Sequence, residues 1–551
     1  MPEEEPLLLQ TDAGPTLHWR GVDFYPRTDP VNYARRKARV FSPLPRSLYF
    51  VPSLGLGHGL PELLSALPPD CSVLCVEAYQ EVMAVALAQG IPRDHRLLVV
   101  RTGDPEAVAA ALRSMGTGRF RRVVEAPLCA GYRLAPRLYG AMRMRLEQEI
   151  MRFWQNRMTL IAMGSLQVRN ILANLPLLRN ALDFSALSTS RPVVVAGAGP
   201  SLDHTLPVLR SSRDRFVLVA VDTALPVLSA CGLFPDIVVA LEAQAVNNLD
   251  FIPVPPEDGP VLACDLSVHP SAARLFAGRL FFFSSEFAPL SFWDRLDRSG
   301  LRPLRFPALG SVGVAAAHAA LRMTRGSVYL TGLDFSFPGA RTHAKGSPSL
   351  IAMHSGSSRL APVGQATYSA LAARHLARQT DKHGLPVLTD RVLSSYRDSL
   401  EEELSESSAR VRDCGDTGLP LGVPVIAASQ LEEALQAGAT SAQRLRIDRT
   451  RRFPGERLAH FVASERALLE KVALAAGGPS GNGLAPAGQA GAAPAGAAPD
   501  ALGALLADAD YTWMHFPDQP DLAAPEWGFV VRARVAALYY AERLRRIESV
   551  L

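Results

Sequence analysis

The sequence predicts a multidomain α/β protein. With 551 residues, the chain is too long for one ordinary hydrophobic core, and this length corresponds to about three or four domains. In two regions, short and wholly apolar strands alternate with helical segments, which is the pattern of a parallel sheet covered by helices on both faces. A hydrophobic content of 48% with 20% charged residues is typical of a globular protein.

The charge and hydropathy of the chain argue against several classes of function. The net charge of +4 is small for this length and does not indicate a nucleic-acid partner. No apolar run reaches the roughly 18 to 20 residues that a membrane-spanning helix needs. The N-terminal MPEEEPLLLQTD is acidic and lacks the segments of a secretion signal. The cysteines are scattered and form no metal-binding pattern, so we expect a cytoplasmic protein.

The first region, 1–135, has the pattern of an α/β domain. An apolar strand in SLYFVPSLGLGHGL ends in a glycine-rich turn, and SVLCVEAY, RLLVVRTGD and RRVVEAPL supply further strands. Glu77 lies near the end of the second strand. A strand, a glycine turn and an acidic residue about 20 positions later also describe a methyltransferase cofactor site. We favour a purely architectural turn, with the methyltransferase as the alternative.

The rest of the chain divides by composition and periodicity. Apolar residues at three- and four-residue spacing predict helices after the first region, and apolar strands return near residue 190. An Ala/Gly/Pro-rich stretch without aromatic residues predicts a disordered linker near the C-terminus. The predicted segments are a helical connector (136–188), a central domain (189–362), a helical C-terminal region (363–474), the linker (475–500) and a closing helical segment (501–551).

The turn VVVAGAGPSLD opens the central domain. Without Cβ atoms at Gly197 and Gly199, a phosphate or sugar can approach the backbone closely. The dinucleotide-binding pattern requires a small residue where Leu202 stands, and Pro200 with Ser201 forms a rigid helix start in which Ser201 is a candidate N-cap. We therefore expect a nucleotide site that does not serve hydride transfer. A tight strand-to-helix turn without a ligand is the alternative.

Polar side chains follow the next two predicted strands, in AVDTAL and LEAQAVNN. Ligands of parallel sheets gather at the carboxyl ends of the strands, because the loops there surround a common crevice. Carboxylate and amide groups can bind ribose hydroxyls and base edges. The candidate nucleotide-binding residues are Asp222, Thr223, Glu242, Gln244, Asn247 and Asn248.

A second small-residue turn precedes an alanine-rich helix in PALGSVGVAAAHAALRM. Ser311 and Gly313 lie at the start of this helix, where free amides and the helix dipole favour an anion. The strand that follows, SVYLTGLDFSF, ends on Gly332 and Asp334. The pattern predicts a phosphate-binding turn beside a polar strand end.

Two histidines come after that strand. His343 lies in the loop THAKGS, and His354 follows shortly after it. A loop histidine beside a phosphate site is a candidate general base, since its ordinary pKa of about 6.5 suits proton transfer at neutral pH. We take His343 as the first candidate base and His354 as the second.

The order of these motifs resembles a known family. GAGPSLD, AVDTAL, PDIVVALEAQ, GSVGVAAAHAALRMTRGSVYLTGLDFSF and THAKGS follow one another as in the motility-associated factor family of bacterial glycosyltransferases. The central domain is also similar to the pterin pyrophosphokinase-like domain of archaea and to bacterial sialyltransferases. The resemblance implies an N-terminal Rossmann-like domain, a central glycosyltransferase-A-like parallel sheet and a helical C-terminal region.

The resemblance implies an activity as well. A nonulosonic acid of the pseudaminic or legionaminic type would pass from its CMP-activated form to Ser or Thr hydroxyls of flagellin, in support of flagellar assembly and motility. The displacement would invert the anomeric centre. No cofactor and no metal are required by this scheme, although acidic residues at the strand ends leave Mg²⁺ open as an additional ligand.

The resemblance to sialyltransferases also implies roles for individual residues of this sequence. Two strand-end asparagines of that pattern fall at Asp222 and Glu242, which are acidic here. The phosphate turn matches Ser311 to Gly313, a Gly-x-Asp-Phe motif matches Gly332 to Phe335, and a tyrosine that steadies the leaving phosphate falls at Ser336. The catalytic candidates are His343, His354 and Asp334.

Two other functions remain compatible with the sequence. One is a pyrophosphokinase of the 6-hydroxymethylpterin type, which moves diphosphate from ATP and needs Mg²⁺. The other is a flagellar assembly factor that keeps the sugar site for binding and has no catalytic activity.

Overall fold

The computed structural model describes residues 5–252, 259–437, 444–477, 499–518 and 522–551. The chain divides into two units, Met1–Thr159 and Leu160–Leu551. Within the described ranges, no helix combines the length and the apolar character that crossing a membrane requires.

Unit 1 contains a parallel sheet that the sequence predicts. The elements are β1 (Leu7–Thr11), β2 (Gly14–Trp19), β3 (Val22–Asp23), α1 (Pro30–Val40), β4 (Ser47–Pro52), α2 (Leu60–Ala66), β5 (Ser72–Glu77), α3 (Gln80–Gln89), β6 (Leu97–Arg101), α4 (Pro105–Ser114) and β7 (Arg122–Glu125). The four predicted strands pair in the order β6-β5-β4-β7. An antiparallel sheet of three short strands, β1 to β3, precedes them and was not predicted from the sequence.

A single helix, α5 (Pro136–Asn174), follows and contains the boundary between the units. The elements of unit 2 are β8 (Leu182–Asp183), β9 (Leu187–Ser188), β10 (Val193–Ala196), α6 (Leu202–Ser211), β11 (Val217–Val221), α7 (Leu225–Ala230), β12 (Ile237–Ala240), β13 (Val261–Asp265), α8 (Pro270–Leu275), β14 (Leu280–Ser285), α9 (Ser291–Arg298), β15 (Leu304–Phe306), α10 (Val312–Met323), β16 (Val328–Thr331), α11 (Pro348–Ser355), α12 (Val363–Ala372), β17 (Leu376–Thr380), β18 (Pro386–Asp390), α13 (Arg391–Leu404), β19 (Val411–Asp413), α14 (Ala428–Ala437), β20 (Arg446–Ile447), α15 (Gly455–Ala475), α16 (Pro499–Asp508) and α17 (Trp527–Glu548).

The central sheet of unit 2 is parallel throughout. Its strands run in the order β15-β14-β13-β12-β11-β10-β16-β19, and β8 pairs with β14 as well. Strand β10 lies inside the sheet, with Val193 opposite Val217 of β11 on one side and Val328 of β16 on the other. The apolar segments VVVAG, FVLVAVD, DIVVALE, PVLACD, RLFFFSS and SVYLTGLD, which predict strands of the central domain, all contribute strands to this sheet.

The two faces of this sheet bury separate apolar cores. In β14, Phe281 and Phe283 contribute to one core, whereas Leu280 and Phe282 contribute to the other. The side chains of a strand alternate between faces, so a strand that is buried on both sides must be apolar at every position. This requirement explains the continuous apolar runs of the sequence and confirms the predicted α/β class.

The region 363–474 differs from the helical region that we predicted. It contains α12 to α15, but also the antiparallel pair β17 and β18, together with β19, which joins the central sheet beside β16. Strand β19 has only three residues, too few to show a periodicity, and its place depends on pairing with a distant strand. Residues 478–498, most of the predicted linker 475–500, lie outside the described residues.

Candidate active site

The carboxyl edge of the central sheet brings the predicted site segments together. The chain leaves β10 towards β11 on one side, and it leaves β16 towards β19 on the opposite side. Adjacent strands whose connections depart in opposite directions open a crevice at their carboxyl ends. Helix α10 precedes β16 and packs on β10, β11 and β12, so its N-terminus points to this same edge.

The glycine turn after β10 packs against the end of β16. The amide of Gly197 donates to the Thr331 carbonyl at 2.8 Å, and the amide of Gly199 donates to the Gly332 carbonyl at 2.8 Å. A Cβ atom at Gly197 would overlap the Gly332 carbonyl, and one at Gly199 would overlap the Asp334 carboxylate. Glycine at both positions therefore lets the turn pack directly against the end of β16.

Asp334 joins three segments and is only 3% exposed. Its Oδ2 accepts hydrogen bonds from the Ser201 amide at 3.1 Å and the Ser201 hydroxyl at 3.0 Å, and its Oδ1 accepts from the Thr417 hydroxyl at 2.9 Å. Burial raises the pKa of Asp334, against these hydrogen bonds and the charge of Lys382. With its oxygens engaged and its side chain buried, Asp334 holds the glycine turn in place.

Two hydroxyls of the predicted nucleotide set have structural partners. Ser201 stands at the N-cap position of α6 but makes no side-chain cap hydrogen bond, because its hydroxyl bonds to Asp334 and accepts from the Gly332 amide at 3.1 Å. The hydroxyl of Ser336 donates to the Asp334 carbonyl at 3.1 Å, and Ser336 is 3% exposed. The role of steadying a leaving phosphate therefore does not suit Ser336, contrary to our expectation.

Acidic side chains gather at the ends of β11 and β12. Asp222 is 1% exposed, and its Oδ1 accepts from the Thr223 amide at 2.8 Å, while its Oδ2 has no hydrogen-bond partner among the residues that the structure describes. Burial, with a smaller contribution from the charges of Asp250 and Glu242, raises the pKa of Asp222 to about 7. Burial also raises the pKa of Asp250 to about 6, and partial desolvation raises that of Glu242.

Asp250 is a further site residue, which no local sequence motif indicated. This residue belongs to a 3₁₀ turn, Ala245–Phe251, which packs against the turn Asp222–Ala224 and so returns to the strand end. Because Asp250 lies several residues beyond the end of β12, the sequence pattern did not predict that it would pack beside the strand end. Of the other candidates after β12, Asn247 is half-buried on the same turn and Gln244 is exposed.

The second small-residue turn has the expected form. The hydroxyl of Ser311 accepts from the Gly313 amide at 3.2 Å and caps α10. Gly313 is buried, and a Cβ atom there would lie 2.7 Å from the Leu333 side chain. Gly310, with φ +68°, lies under the ring of Tyr396, whose Cε1 would be 3.0 Å from a Cβ atom at that position.

Tyr396, on α13, is a further site residue that the sequence analysis missed. Burial raises its pKa, followed by the charges of Glu242 and Asp390. The Tyr396 ring therefore lies against the turn before α10, within the electrostatic influence of Glu242. No local motif indicated Tyr396, since it lies in a helix far along the chain from both.

The loop that carries His343 is fixed to the glycine turn. The Ala344 amide donates to the Ala198 carbonyl at 2.8 Å. Asp203, in the first turn of α6, accepts from the Lys345 amide at 3.0 Å and pairs with Arg341 at 2.6 Å. These contacts hold the His343 loop at the carboxyl edge of β10.

His343 is half-buried, and two hydroxyl groups lie close to one of its ring nitrogens. Its Nδ1 is 3.1 Å from the Thr342 hydroxyl and 3.2 Å from the Ser349 hydroxyl. A proton on Nδ1, donated to one of these oxygens, leaves Nε2 unprotonated and able to accept a proton. Burial lowers the pKa of His343, and the charge of Arg374 lowers it further, so the ring stays neutral below the ordinary histidine pKa.

His354 has a different environment. It is exposed near the end of α11, and its side chain makes no hydrogen bond or ion pair with the part of the chain that the structure describes. The structure thus ties His343 to the strand ends through specific contacts, whereas it shows no such contacts for His354.

Side chains of the protein itself also pack against the glycine turn of unit 1. Glu77 is fully buried, and it accepts hydrogen bonds from the Ser53 hydroxyl at 2.9 Å and the Leu54 amide at 2.9 Å. A Cβ atom at Gly55 would lie 2.6 Å from the Tyr25 hydroxyl. Because Glu77 is committed to its own turn, it cannot reach the ribose of a cofactor, which argues against the methyltransferase alternative.

Both the central region and the whole chain are similar to known proteins. Residues 169–340 match a family model described as 6-hydroxymethylpterin diphosphokinase MptE-like. An uncharacterized protein of Treponema pallidum (strain Nichols) is 25% identical over 593 aligned residues, which cover 100% of this chain and 97% of that protein. A second uncharacterized protein of the same organism is 36% identical over 88 residues, 15% of this chain and 40% of its own.

A solved structure is similar over almost the whole chain. The MAf glycosyltransferase from Magnetospirillum magneticum AMB-1 has a TM-score of 0.54 and 18% sequence identity, over 99% of this chain and 89% of its own. The chain is therefore a multidomain α/β protein with an MptE-like domain at its centre. Its fold is similar to that of the MAf glycosyltransferase, which confirms the predicted resemblance at the level of the fold.

Proposed function

We propose that this protein is a glycosyltransferase that acts at the carboxyl edge of its central sheet. One observation carries the proposal: in a chain with the fold of a MAf glycosyltransferase, a neutral histidine, a helix N-terminus and a group of strand-end acidic residues lie along that edge. A nucleotide-sugar needs contacts of these kinds, because the nucleoside is polar, the leaving phosphate is anionic and the acceptor hydroxyl must lose a proton.

The donor in this proposal is a CMP-activated nonulosonic acid of the pseudaminic or legionaminic type. Strand-end residues around Asp222 and Glu242 hold the nucleoside. The amides at the N-terminus of α10, next to Ser311, stabilise the negative charge that develops on the departing phosphate. Tyr396 lies against Gly310 of the same turn, and its hydroxyl is an additional donor for that charge.

The acceptor in this proposal is a Ser or Thr hydroxyl of flagellin, modified in the cytoplasm. His343 Nε2 takes the proton of that hydroxyl while the oxygen attacks the sugar on the face opposite the phosphate. The bond between the sugar and the phosphate breaks as the new bond forms, CMP leaves with the electron pair, and the anomeric centre is inverted. Asp334 supports the reaction indirectly, since it fixes the glycine turn that carries the His343 loop.

The experiment compares two histidine variants in cells and measures the intact mass of flagellin. We expect His343→Ala to leave flagellin short by the mass of its sugars, and the matched variant His354→Ala to leave the mass unchanged. Unmodified flagellin in wild-type cells, or full modification with His343→Ala, would refute the proposal. Full motility with unmodified flagellin would instead support a non-catalytic assembly factor.

The pyrophosphokinase remains the second candidate, because the family model that matches residues 169–340 carries that description. Calorimetry separates the two donors. We expect binding of CMP, whereas binding of ATP with Mg²⁺ in the absence of CMP binding would favour diphosphate transfer.

A further inference from the structure

Helix α5 carries a second row of apolar and uncharged side chains besides the one that it buries in unit 1. Met142, Leu146 and Ile150 belong to the apolar core of unit 1, together with Leu48 and Phe50 of β4. The opposite side of the helix is exposed, and we call its row of residues, which are three or four positions apart, the α5 stripe. The stripe consists of Ala141, Met144, Gln148, Met151, Gln155 and Met158, all of them within unit 1.

The α5 stripe differs from an ordinary helix surface in its exposed methionines. Met144, Met151 and Met158 are 54%, 45% and 60% exposed. A single exposed apolar side chain is normal in a protein, whereas a continuous apolar surface marks an interaction site. No charged residue interrupts the stripe over its length of about 26 Å. The stripe is therefore suited to contact with a partner.

The spacing of the stripe is that of a coiled coil. Its methionines recur every seven residues, and an alanine or a glutamine precedes each of them by three residues. In the heptad abcdefg, the methionines take the d positions, and the a positions are Ala141, Gln148 and Gln155. A repeat of seven residues keeps one side of a helix turned towards a partner helix while the two wind around each other. The periodicity therefore indicates a second helix as the occupant of the stripe.

We propose that the α5 stripe pairs with the same stripe of a second copy of this chain, as a parallel two-stranded coiled coil. In a parallel pair of identical helices, each a-position side chain meets its own counterpart. A glutamine amide has both donors and an acceptor, so Gln148 and Gln155 can each bond to the same residue of the partner subunit. Polar residues at a positions fix the register of such a pair at a cost in stability. This pairing goes beyond the proposed function and does not depend on it.

The charges beside the stripe favour the parallel orientation. Glu147 takes a g position, and Arg152 takes the e position that follows it. In a parallel pair, g of one helix lies beside the following e of the other, so Glu147 meets Arg152 of the partner subunit on both sides of the pair. In an antiparallel pair the e positions face each other, and the arginines at 145 and 152 would repel. Glu147 pairs with Arg143 at 2.9 Å on its own helix, yet its side chain is 41% exposed and accessible to a partner.

Sedimentation velocity of the full-length protein tests the pairing. We expect a monomer–dimer equilibrium that shifts with protein concentration. Met151→Lys should weaken the dimer about a hundredfold or more, because it places an ammonium group of each chain in an apolar contact. Leu87→Lys on α3 is the matched control, since Leu87 is 62% exposed and lies outside the stripe. It should leave the dimer unchanged, and both variants should melt like the wild-type monomer, because each side chain is at the surface.

A charge exchange tests the orientation. Glu147→Arg turns two attractive contacts of the parallel pair into two repulsive ones and should weaken the dimer about tenfold. Adding Arg152→Glu reverses both charges and should restore the wild-type affinity. A double variant as weak as the single one would refute the parallel pairing.

Cross-linking tests the register. In a parallel pair in register, position 144 of one chain lies beside position 144 of the other, within the roughly 7 Å between Cα atoms that a disulfide allows. Mild oxidation of Met144→Cys should therefore give a covalent dimer, whereas the oxidised wild type and Leu87→Cys should not. A protein that stays monomeric at every concentration would overturn the proposal, whether the stripe then contacts a different protein or a lipid surface. A dimer that persists in Met151→Lys, or no covalent dimer from Met144→Cys, would overturn it as well.

Discussion

Replacement of Gly199 by alanine tests whether the glycine turn serves packing or ligand access. The new Cβ would overlap the Asp334 carboxylate and approach the Gly332 carbonyl to 2.7 Å. Overpacking of this kind costs about 1–3 kcal/mol. Displacing Asp334 Oδ2 also breaks the two hydrogen bonds that it accepts from the amide and the hydroxyl of Ser201. A hydrogen bond to a charged acceptor contributes about 1.5 kcal/mol or more to stability. We therefore expect the free energy of unfolding to fall by about 4 kcal/mol or more.

The assay is equilibrium urea unfolding of the ligand-free protein, followed by circular dichroism. Gly364→Ala on α12 is the matched control, because no atom lies within 4 Å of a Cβ at that position. Alanine exceeds glycine in helix propensity by about 1 kcal/mol, so this control should not destabilise the protein. If Gly199→Ala unfolds like the wild type but binds CMP less well, the glycine is a ligand contact and our interpretation is wrong.

Three further predictions concern groups around the site. Lys382→Met leaves the buried Asp413 without its 2.5 Å ion pair and should lower the free energy of unfolding by about 3–5 kcal/mol in urea. The pKa of His343 is lowered, first by burial and then by Arg374, so transferase activity should be lost with falling pH only below the ordinary histidine pKa of about 6.5, and Arg374→Gln should move that loss to higher pH. Asn170→Leu removes two hydrogen bonds, 2.9 and 3.0 Å long, from its amide to backbone carbonyls of the loops that follow β12 and β13. It should weaken CMP binding in calorimetry while His343 keeps its pKa.

Each of these predictions has its own control. The double variant Lys382→Met with Asp413→Leu should recover most of the lost stability, because no buried charge is left unpaired; a double variant as unstable as the single one would contradict the explanation. An acid limb that stays in place in Arg374→Gln would exclude the proposed influence on His343. Asn170→Leu with unchanged CMP affinity would show that the loop after β12 needs no support from α5.

Much of the fold could be predicted because its signals are local. A strand buried on both faces must be largely apolar, and β10, β11 and the first four residues of β14 show this directly as VVVA, VLVAV and LFFF. The three residues of β19 and the hairpin of β17 and β18 gave no comparable signal. Their positions depend on partners that are distant in the sequence.

The residues of the candidate site also differ in whether a local sequence pattern could indicate them. Local chemistry indicated the Ser311 turn, the acidic strand end at Asp222 and the loop with His343. It did not indicate Asp250 or Tyr396, which reach the site through a 3₁₀ turn and through α13. It also assigned Asp334 and Ser336 to chemistry, although tertiary contacts commit both to the support of a turn.

The sequence by itself determined the parallel sheet, the order of its strands along the chain and the loops that end at its carboxyl edge, because apolar periodicity and turn residues are properties of neighbouring positions. Only the tertiary structure decided which atoms occupy the space beside each glycine and which polar groups lack partners. Those outcomes depend on how closely segments such as β10, β16 and the Thr417 loop approach one another. A shift of a few tenths of an ångström is enough to break a hydrogen bond or to turn a favourable contact into a steric overlap.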